Sequence, residues 1–162
     1  MKNKTRNFIE IAMVAAIYAV LTVAVSPLSY GAVQLRFSEI LVLLCFYNRK
    51  YCVSMTLGCA IANIFSPMAL FDIPFGTVAT LLSVICIYKS RNLIVSSIFP
   101  TIFNGVIVGG ELYFALKEPF LISVGTVALG EFLVVTVAGV PLFRILEKNR
   151  HIMSLIGSER RT

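Results

Sequence analysis

The lysine and arginine residues of this sequence lie in every other gap between its long apolar runs, and this placement strongly constrains the fold. Most acidic residues lie in the remaining gaps or inside the runs. The basic residues in the alternating gaps are Lys2, Lys4, Arg6, Arg49, Lys50, Lys89, Arg91, Arg144, Lys148, Arg150, Arg160 and Arg161; the exceptions are Arg36 and Lys117. Because cytoplasmic loops of membrane proteins retain basic residues, the pattern predicts a polytopic protein with cytoplasmic N- and C-termini and an acidic outer face.

Composition agrees with a location in the cell membrane. Of the 162 residues, 58% are hydrophobic and only 14% are charged, whereas about a quarter of the residues in a soluble domain are charged. The net charge of +6 does not indicate nucleic-acid binding, because the basic residues are divided among four short segments that form no continuous groove. Since Trp is absent, an aromatic belt at the membrane surface would consist of tyrosines, namely Tyr18, Tyr30, Tyr47, Tyr51, Tyr88 and Tyr113.

Six apolar runs predict an all-α domain of six transmembrane helices. The runs cover residues 8–25, 35–47, 51–65, 71–88, 93–116 and 120–143, and a basic cytoplasmic tail follows at 144–162. A spanning helix needs about 20 residues, so the second, third and fourth helices look short, and we expect irregular outer ends. Irregular backbone at membrane depth requires cover by protein or a water-filled cavity, which predicts a pocket at the outer face.

Seven polar side chains lie inside these runs or at their outer ends, where functional use is the default hypothesis. The fifth helix climbs outward, so Glu111 lies about 10 Å farther out than Asn104. The sixth helix descends and places Glu131 near the depth of Asn104. The sequence therefore predicts one outward-facing substrate site. Its residues are Arg36, Glu39, Asn63, Asp72, Asn104, Glu111 and Glu131.

Structural roles are the alternative for most of these residues. Arg36 and Glu39 are three positions apart on one helix and can pair with each other. Asp72 precedes a helical pattern and can cap its positive end. Asn63 and Asn104 can bridge neighbouring helices. At these five positions both the structural and the functional interpretation remain open.

Glu111 and Glu131 favour a functional interpretation, because neither has a cation on its own helix face. A buried carboxylate without a partner takes up a proton unless a ligand supplies hydrogen-bond donors. One carboxylate can accept two parallel N–H bonds from a guanine-like edge, and another can pair with an amine. The site is thus predicted to bind a ligand rich in N–H donors or positively charged, and not a carboxylate or phosphate.

The first helix carries two pairs of small residues at a spacing that lets another helix approach closely. The pairs are Ala12 with Ala16 and Ala15 with Ala19. Packing inside the fold and contact with a partner protein are equally consistent with this spacing.

Motifs for catalysis and cofactor binding are not evident. The sequence contains no GxxxxGK[ST] phosphate-binding loop for ATP hydrolysis. Cys45, Cys52, Cys59 and Cys86 have no CxxC spacing, and His151 lies in the basic tail, so we expect no metal site, cofactor or disulfide. No nucleophile is paired with a base. We therefore expect a protein that is not an enzyme.

Several short segments resemble the QueT family over nearly the whole chain. They are VQLRFSE at 33–39, GCAIAN at 58–63, DIPFGT at 72–77, NG at 104–105, GGEL at 109–112, GE at 130–131 and GVPL at 139–142. Members of this family are queuosine-precursor transporters, the membrane-embedded substrate-binding (S) components of energy-coupling-factor (ECF) ABC transporters.

The resemblance implies a six-helix S component that captures a 7-deazaguanine, such as queuine, preQ1 or preQ0, at the extracellular face. It further implies partners, namely a transmembrane coupling protein and two cytoplasmic ATPases that drive vitamin-type uptake. S components present an AxxxA pattern on helix one to the coupling protein, and Ala12 and Ala16 match it. The alternatives are an S component for another vitamin-like heterocycle and a stand-alone carrier or channel for a small solute.

Overall fold

The computed structural model describes residues 2–29 and 34–157, and every regular element within these residues is a helix. Tyr30 of the predicted belt, Val33 and the tail residues Arg160 and Arg161 lie outside them. The elements in chain order are α1 (Lys2–Ala24), α2 (Ser26–Ser29), a 3₁₀ helix (Phe37–Leu43), α3 (Leu44–Tyr47), α4 (Lys50–Asn63), α5 (Ala69–Lys89), α6 (Leu93–Leu116), α7 (Phe120–Glu131), a π-helix (Phe132–Gly139), α8 (Val140–Glu147) and α9 (Arg150–Ile156).

Four helical stretches are long and apolar enough to cross a membrane. They are Lys4–Ala24, Ala69–Lys89, Leu93–Leu116 and Phe120–Glu147. The chain is therefore a membrane protein that is all-helical over residues 2–29 and 34–157. Two shorter stretches, Phe37–Tyr47 and α4 with 14 residues, complete the six predicted helices. Six membrane spans and the side on which the termini lie stay predictions.

Three predictions about the extent of the helices differ most from the structure. The first helix begins at Lys2 and not at 8, because the Lys and Arg residues before the apolar run are themselves good helix formers. The fourth predicted helix corresponds to α5, and the expectation that it is short is wrong, because α5 has 21 residues, about 32 Å of helix. The last helix continues past 143 to Glu147, and Asn149 then caps α9 within the predicted tail by accepting hydrogen bonds from two backbone amides.

The second helix is irregular at the end that carries Arg36, as its length suggested. Arg36 has an extended backbone, and the chain then forms a 3₁₀ helix from Phe37 to Leu43 before one α-helical turn. A second irregular stretch, the π-helix Phe132–Gly139, follows Glu131 directly. π-type turns occur frequently at functional sites. The 3₁₀ helix and the π-helix pack against each other, which brings Glu39 and Glu131 to one region.

α1 packs against α4, and from α4 onward each helix packs against the next, α4 against α5, α5 against α6 and α6 against α7. Tight contacts depend on glycine: a Cβ on Gly58 would lie 2.9 Å from the carbonyl oxygen of Ala15. The core includes Tyr18, Tyr47 and Tyr51, which are almost completely buried. Their assignment to a membrane-surface belt is therefore wrong, because these rings fill the space between helices.

Candidate functional site

The seven predicted site residues are all buried, although each carries a charged group or an amide that water would solvate well. Their exposed fractions do not exceed 3%. Asn63 ends α4 and Asp72 lies in the first turn of α5, whereas the basic residues Lys50 and Lys89 occupy the opposite ends of these two helices. The seven residues form one group that extends from the helix ends remote from Lys50 and Lys89 to Asn104 in the middle of α6, and we call it the polar cluster. Its members are Arg36, Glu39, Asn63, Asp72, Asn104, Glu111 and Glu131.

Arg36 connects the irregular second helix to α5. Its Nη2 lies 3.9 Å from Oδ1 of Asp72, and both side chains are almost fully buried. Its Nε donates a hydrogen bond to the carbonyl oxygen of Ser29 at 3.2 Å. Arg36 is also close enough to Glu39 for their charges to attract each other. The Arg36 guanidinium thus interacts with the carboxylates of both Glu39 and Asp72, and not with Glu39 alone.

Asp72 is held by the turn that joins α4 to α5. Its Oδ2 accepts a hydrogen bond from the Ser66 hydroxyl, and its carbonyl oxygen accepts one from Nδ2 of Asn63 at 2.7 Å. The helix begins three residues earlier, with Met68 at its N-cap and no side-chain cap. Asp72 is therefore not the N-cap residue, although it lies in the first turn of α5, near the positive end of that helix. Asn63 does bridge α4 and α5, as its structural interpretation proposed.

Glu39 accepts a hydrogen bond from the hydroxyl of Tyr18 on α1. Close by, the hydroxyls of Thr22 and Ser38 form a second link between α1 and the 3₁₀ helix, at 2.6 Å. These contacts fix the orientation of the 3₁₀ helix against α1. One oxygen of Glu39, Oε2, has no hydrogen-bond partner among residues 2–29 and 34–157.

Glu111 differs from the other members, because neither of its carboxylate oxygens has a hydrogen-bond partner in the described part of the chain. Its side chain is completely buried and lies beside that of Asp72. Burying a carboxylate without donors is costly. Glu111 is thus the group in the cluster with the greatest unmet capacity to accept hydrogen bonds.

Glu131 and Asn104 form the deeper part of the cluster. Their side chains lie next to each other, and Glu131 is also within electrostatic reach of Glu39 and Arg36. Oε2 of Glu131 and Nδ2 of Asn104 lack hydrogen-bond partners within the described residues. This end of the cluster therefore offers both an acceptor and a donor.

Two glycines allow the backbone to approach the cluster closely. A Cβ on Gly76 would lie 2.6 Å from Nδ2 of Asn63 and 3.7 Å from Nη1 of Arg36. A Cβ on Gly130 would lie 2.6 Å from the carbonyl oxygen of Gln34. Any side chain at these positions would displace groups that shape the cluster.

Sequence reasoning missed Tyr18, Ser66 and Gly76 as parts of this site. Tyr18 and Thr22 do carry a signal, since two side chains with hydroxyls lie four positions apart on one face of an otherwise apolar helix. Ser66 and Gly76 carry no such signal, because serine near a helix end and glycine in a membrane helix are both common.

The two small-residue pairs of α1 face different surroundings. Ala15 and Ala19 are buried, and Ala15 packs against Gly58 of α4. Ala12 and Ala16 are exposed on the opposite side, in a row with Met13, Val20 and other large apolar residues. Packing within the fold thus explains the first pair and leaves the second pair open for contact outside this chain.

The chemistry of the cluster is dominated by acceptors. Within the described residues it contains four carboxyl groups and a single cation. Such a group suits a ligand that presents several N–H donors or a positive charge, because each donor would satisfy an acceptor that is now buried.

Comparisons with known proteins agree with the family resemblance. The family model QueT, described as QueT transporter, matches residues 8–148, a segment that contains the polar cluster together with Ala12 and Ala16. A curated relative, the Queuosine precursor transporter QueT of Lactococcus lactis subsp. cremoris (strain MG1363), is 36% identical over 147 residues, with 81% of this chain and 86% of that protein covered. No solved structure gives a significant match.

Proposed function

The chain belongs to the QueT transporter family, and from this membership and the polar cluster we propose that it is the substrate-binding S component of an ECF-type ABC importer. Its ligand is a queuosine precursor, a 7-deazaguanine such as queuine, preQ1 or preQ0, captured at the extracellular face. Membership in a transporter family makes its function transport rather than catalysis.

The buried carboxylate of Glu111 is the observation that supports the proposed class of ligand. Its two carboxylate oxygens are buried and lack donors among the described residues. A guanine-like edge offers two parallel N–H groups, which is the donor set that one carboxylate accepts. Asp72 beside it and Glu131 deeper in the cluster supply further acceptors, one of which can pair with the amine of a precursor such as preQ1.

The proposed site would be assembled only when the helices are folded together. Residues of the second, third, fourth, fifth and sixth predicted helices all contribute to the polar cluster. Tyr18 and Ser66 fix the positions of Glu39 and Asp72. Because these two carboxylates already have donors, we assign the main ligand contacts to Glu111 and Glu131, and we assign ligand orientation to Asn63 and Asn104.

Movement of the ligand into the cell would require partners. The sequence lacks a phosphate-binding loop of its own. We therefore assign the energy to a transmembrane coupling protein with two cytoplasmic ATPases, and we assign the exposed pair Ala12 and Ala16 to the contact with the coupling protein. Both termini would lie in the cytoplasm.

Calorimetry with preQ1 on the purified protein tests the ligand site. We expect Glu111→Gln to weaken binding about 10- to 100-fold, since a charge-assisted hydrogen bond contributes about 1.5–3 kcal/mol. Glu118→Gln is the matched control, because it removes the same charge at the same end of α6 but outside the cluster. Unchanged affinity in both Glu111→Gln and Glu131→Gln, with unchanged melting temperatures, would show that the site is assigned wrongly.

Two further measurements separate the alternatives. Mass spectrometry of ligand released from the purified protein identifies the heterocycle, and a vitamin unrelated to 7-deazaguanine would overturn the ligand assignment only. Uptake by vesicles that contain this chain without ATPase subunits would instead indicate a stand-alone carrier and overturn the S-component role.

A further inference from the structure

A cleft of about 970 Å³ lies at the opposite end of the molecule from the polar cluster. The beginning of α1, the turn before α4 together with the first turns of α4, and the last turns of α5 form its walls. Asn7, Arg49 and Lys89 each lie on one of these three walls. The cleft shares no residue with the polar cluster, so the proposed ligand site does not account for it.

Arg49 and Lys89 are the exposed cations that line this cleft. The third lining cation, Lys50, is occupied, because its Nζ lies 2.5 Å from Oε2 of Glu10. No described carboxylate forms an ion pair with Arg49 or Lys89. The Arg49 guanidinium lies 5.9 Å from the ring centre of Tyr88, the residue adjacent to Lys89. Two positive charges without carboxylate partners in the described chain therefore line one cleft.

The remainder of the cleft wall is apolar and extends toward the membrane interior. Val53 and Leu57 lie one turn apart on α4, and Leu81 and Ile85 lie one turn apart on α5. All four are substantially exposed. From Lys89 to Leu81 the helix rises about 12 Å, so the cleft passes from a basic mouth to an apolar floor along the helix axes. This order of charge and hydrocarbon matches a phospholipid, with its headgroup at the membrane surface and its acyl chains inside.

We propose that this cleft binds an anionic phospholipid from the leaflet that faces the basic ends of the helices. Arg49 and Lys89 hold the phosphate and any second anionic group of the headgroup, while α4 and α5 contact the upper part of one acyl chain. Basic pockets between transmembrane helices recognise anionic headgroups in this way. A zwitterionic lipid gains the same apolar contact but brings its own positive charge to the basic mouth, whereas an anionic lipid brings only negative charge. The site consequently selects lipid by charge.

The absence of Trp from the chain allows a direct test. In an Ile85→Trp variant the only indole lies in the cleft, and in an Ile98→Trp variant it lies at a similar distance from the basic end on α6, outside the cleft. The two positions are similarly exposed, at 39% and 37%. Each variant is placed in phosphatidylcholine vesicles that contain a small fraction of phosphatidylglycerol, with bromine on the acyl chains of one lipid or the other. Quenching of the indole then measures which lipid is adjacent.

We expect brominated phosphatidylglycerol to quench the Ile85→Trp variant well beyond its share of the lipid, and the Ile98→Trp variant only in proportion to its share. Adding Arg49→Gln and Lys89→Gln should reduce the preference about fivefold for each cation removed. Arg144→Gln with Arg150→Gln is the matched control, since it removes two exposed cations of the last helices and leaves the cleft intact.

Three outcomes would overturn the proposal. The first is equal quenching by the two brominated lipids in the Ile85→Trp variant. The second is a preference that survives the removal of both Arg49 and Lys89, or one that the control pair abolishes to the same extent. The third is displacement of brominated phosphatidylglycerol by inorganic phosphate at constant ionic strength, which would identify a free anion as the occupant.

Discussion

Glu39 shows how a single residue can serve the fold and the polar cluster at once. Its Oε1 accepts from the Tyr18 hydroxyl, so α1 supplies the donor that lets a carboxylate remain buried in the 3₁₀ helix. Burying a charge is tolerated only with such donors or with an opposite charge, and Arg36 provides the latter. Tyr18 thus positions a cluster residue and contributes packing to the core.

Removal of the Tyr18 hydroxyl should destabilise the protein without disturbing its packing. Tyr18→Phe keeps the buried ring but withdraws the donor from Glu39, at a cost of about 1–3 kcal/mol. A lower melting temperature in detergent is the expected result. Tyr113→Phe is the control, because Tyr113 is half exposed and its ring contacts with Phe114 and Phe120 do not need the hydroxyl. Equal melting temperatures for Tyr18→Phe and the unmodified protein would contradict the role assigned to this hydrogen bond.

A substitution at Gly76 tests whether the space around the Asn63 side chain is needed for ligand binding. In Gly76→Ala the new Cβ would meet Nδ2 of Asn63 at 2.6 Å and push the amide away from the carbonyl oxygen of Asp72. We expect a loss of preQ1 affinity of about tenfold or more, in keeping with the loss of a hydrogen bond. Gly110→Ala, where the nearest atom is 3.8 Å away, should bind normally by the same calorimetric measurement. Normal binding by Gly76→Ala would remove Asn63 from the site.

At the scale of elements, α6 and α7 depend on glycine for their close contact. A Cβ on Gly109 would lie 2.7 Å from Cα and 2.8 Å from N of Val124, both backbone atoms that cannot rotate away. Gly125, the next residue on α7, is exposed, and a Cβ added to it would meet no atom within 4 Å. The close contact between α6 and α7 therefore requires glycine at position 109 but not at position 125.

Alanine at these two glycines should produce opposite effects on stability. Gly109→Ala forces the helices apart, and overpacking of this kind costs about 1–3 kcal/mol. Gly125→Ala should leave stability unchanged or raise it by up to about 1 kcal/mol, because alanine favours a helix. Thermal unfolding in the same detergent measures both. A stable Gly109→Ala variant would mean that α6 and α7 can separate at little cost.

The irregular elements illustrate what helix prediction from sequence can and cannot provide. Length alone indicated that the second helix would be irregular, and the 3₁₀ helix Phe37–Leu43 confirms it. The π-helix after Glu131 was not predicted, since it lies in an uninterrupted apolar run whose pattern is compatible with α-helix throughout. It packs against the 3₁₀ helix, a tertiary contact that this sequence pattern does not contain.

At the scale of the whole molecule, the charge pattern predicts which loops face outward. A cysteine introduced at Lys117, between α6 and α7, should react with a membrane-impermeant thiol reagent added to intact cells. A cysteine at Arg91, between α5 and α6, should react only after the membrane is opened. The four native cysteines are first replaced by alanine. Labelling in the reverse order would invert the proposed orientation and place the polar cluster at the cytoplasmic side.

The exposed alanines of α1 allow assembly to be tested separately from ligand binding. Ala12→Leu and Ala16→Leu should retain preQ1 binding, because both side chains are exposed and neither belongs to the polar cluster. With the coupling protein and ATPases present, both variants should lose uptake, since leucine prevents close helix contact. Ala138→Leu, an exposed alanine in the π-helix, is the control. Wild-type uptake by the α1 variants would place the partner contact elsewhere.

The sequence by itself determined the helical class, the order of six apolar segments and the list of polar residues inside them. Each of these depends on local properties, namely hydrophobicity over about 20 residues and charge in the loops. Only the tertiary structure decided that Tyr18 is a donor to Glu39, that Ser66 holds Asp72 and that Ala15 faces inward while Ala12 faces outward. These facts depend on how each helix is rotated about its axis and how closely its neighbours approach, and no local pattern contains that information.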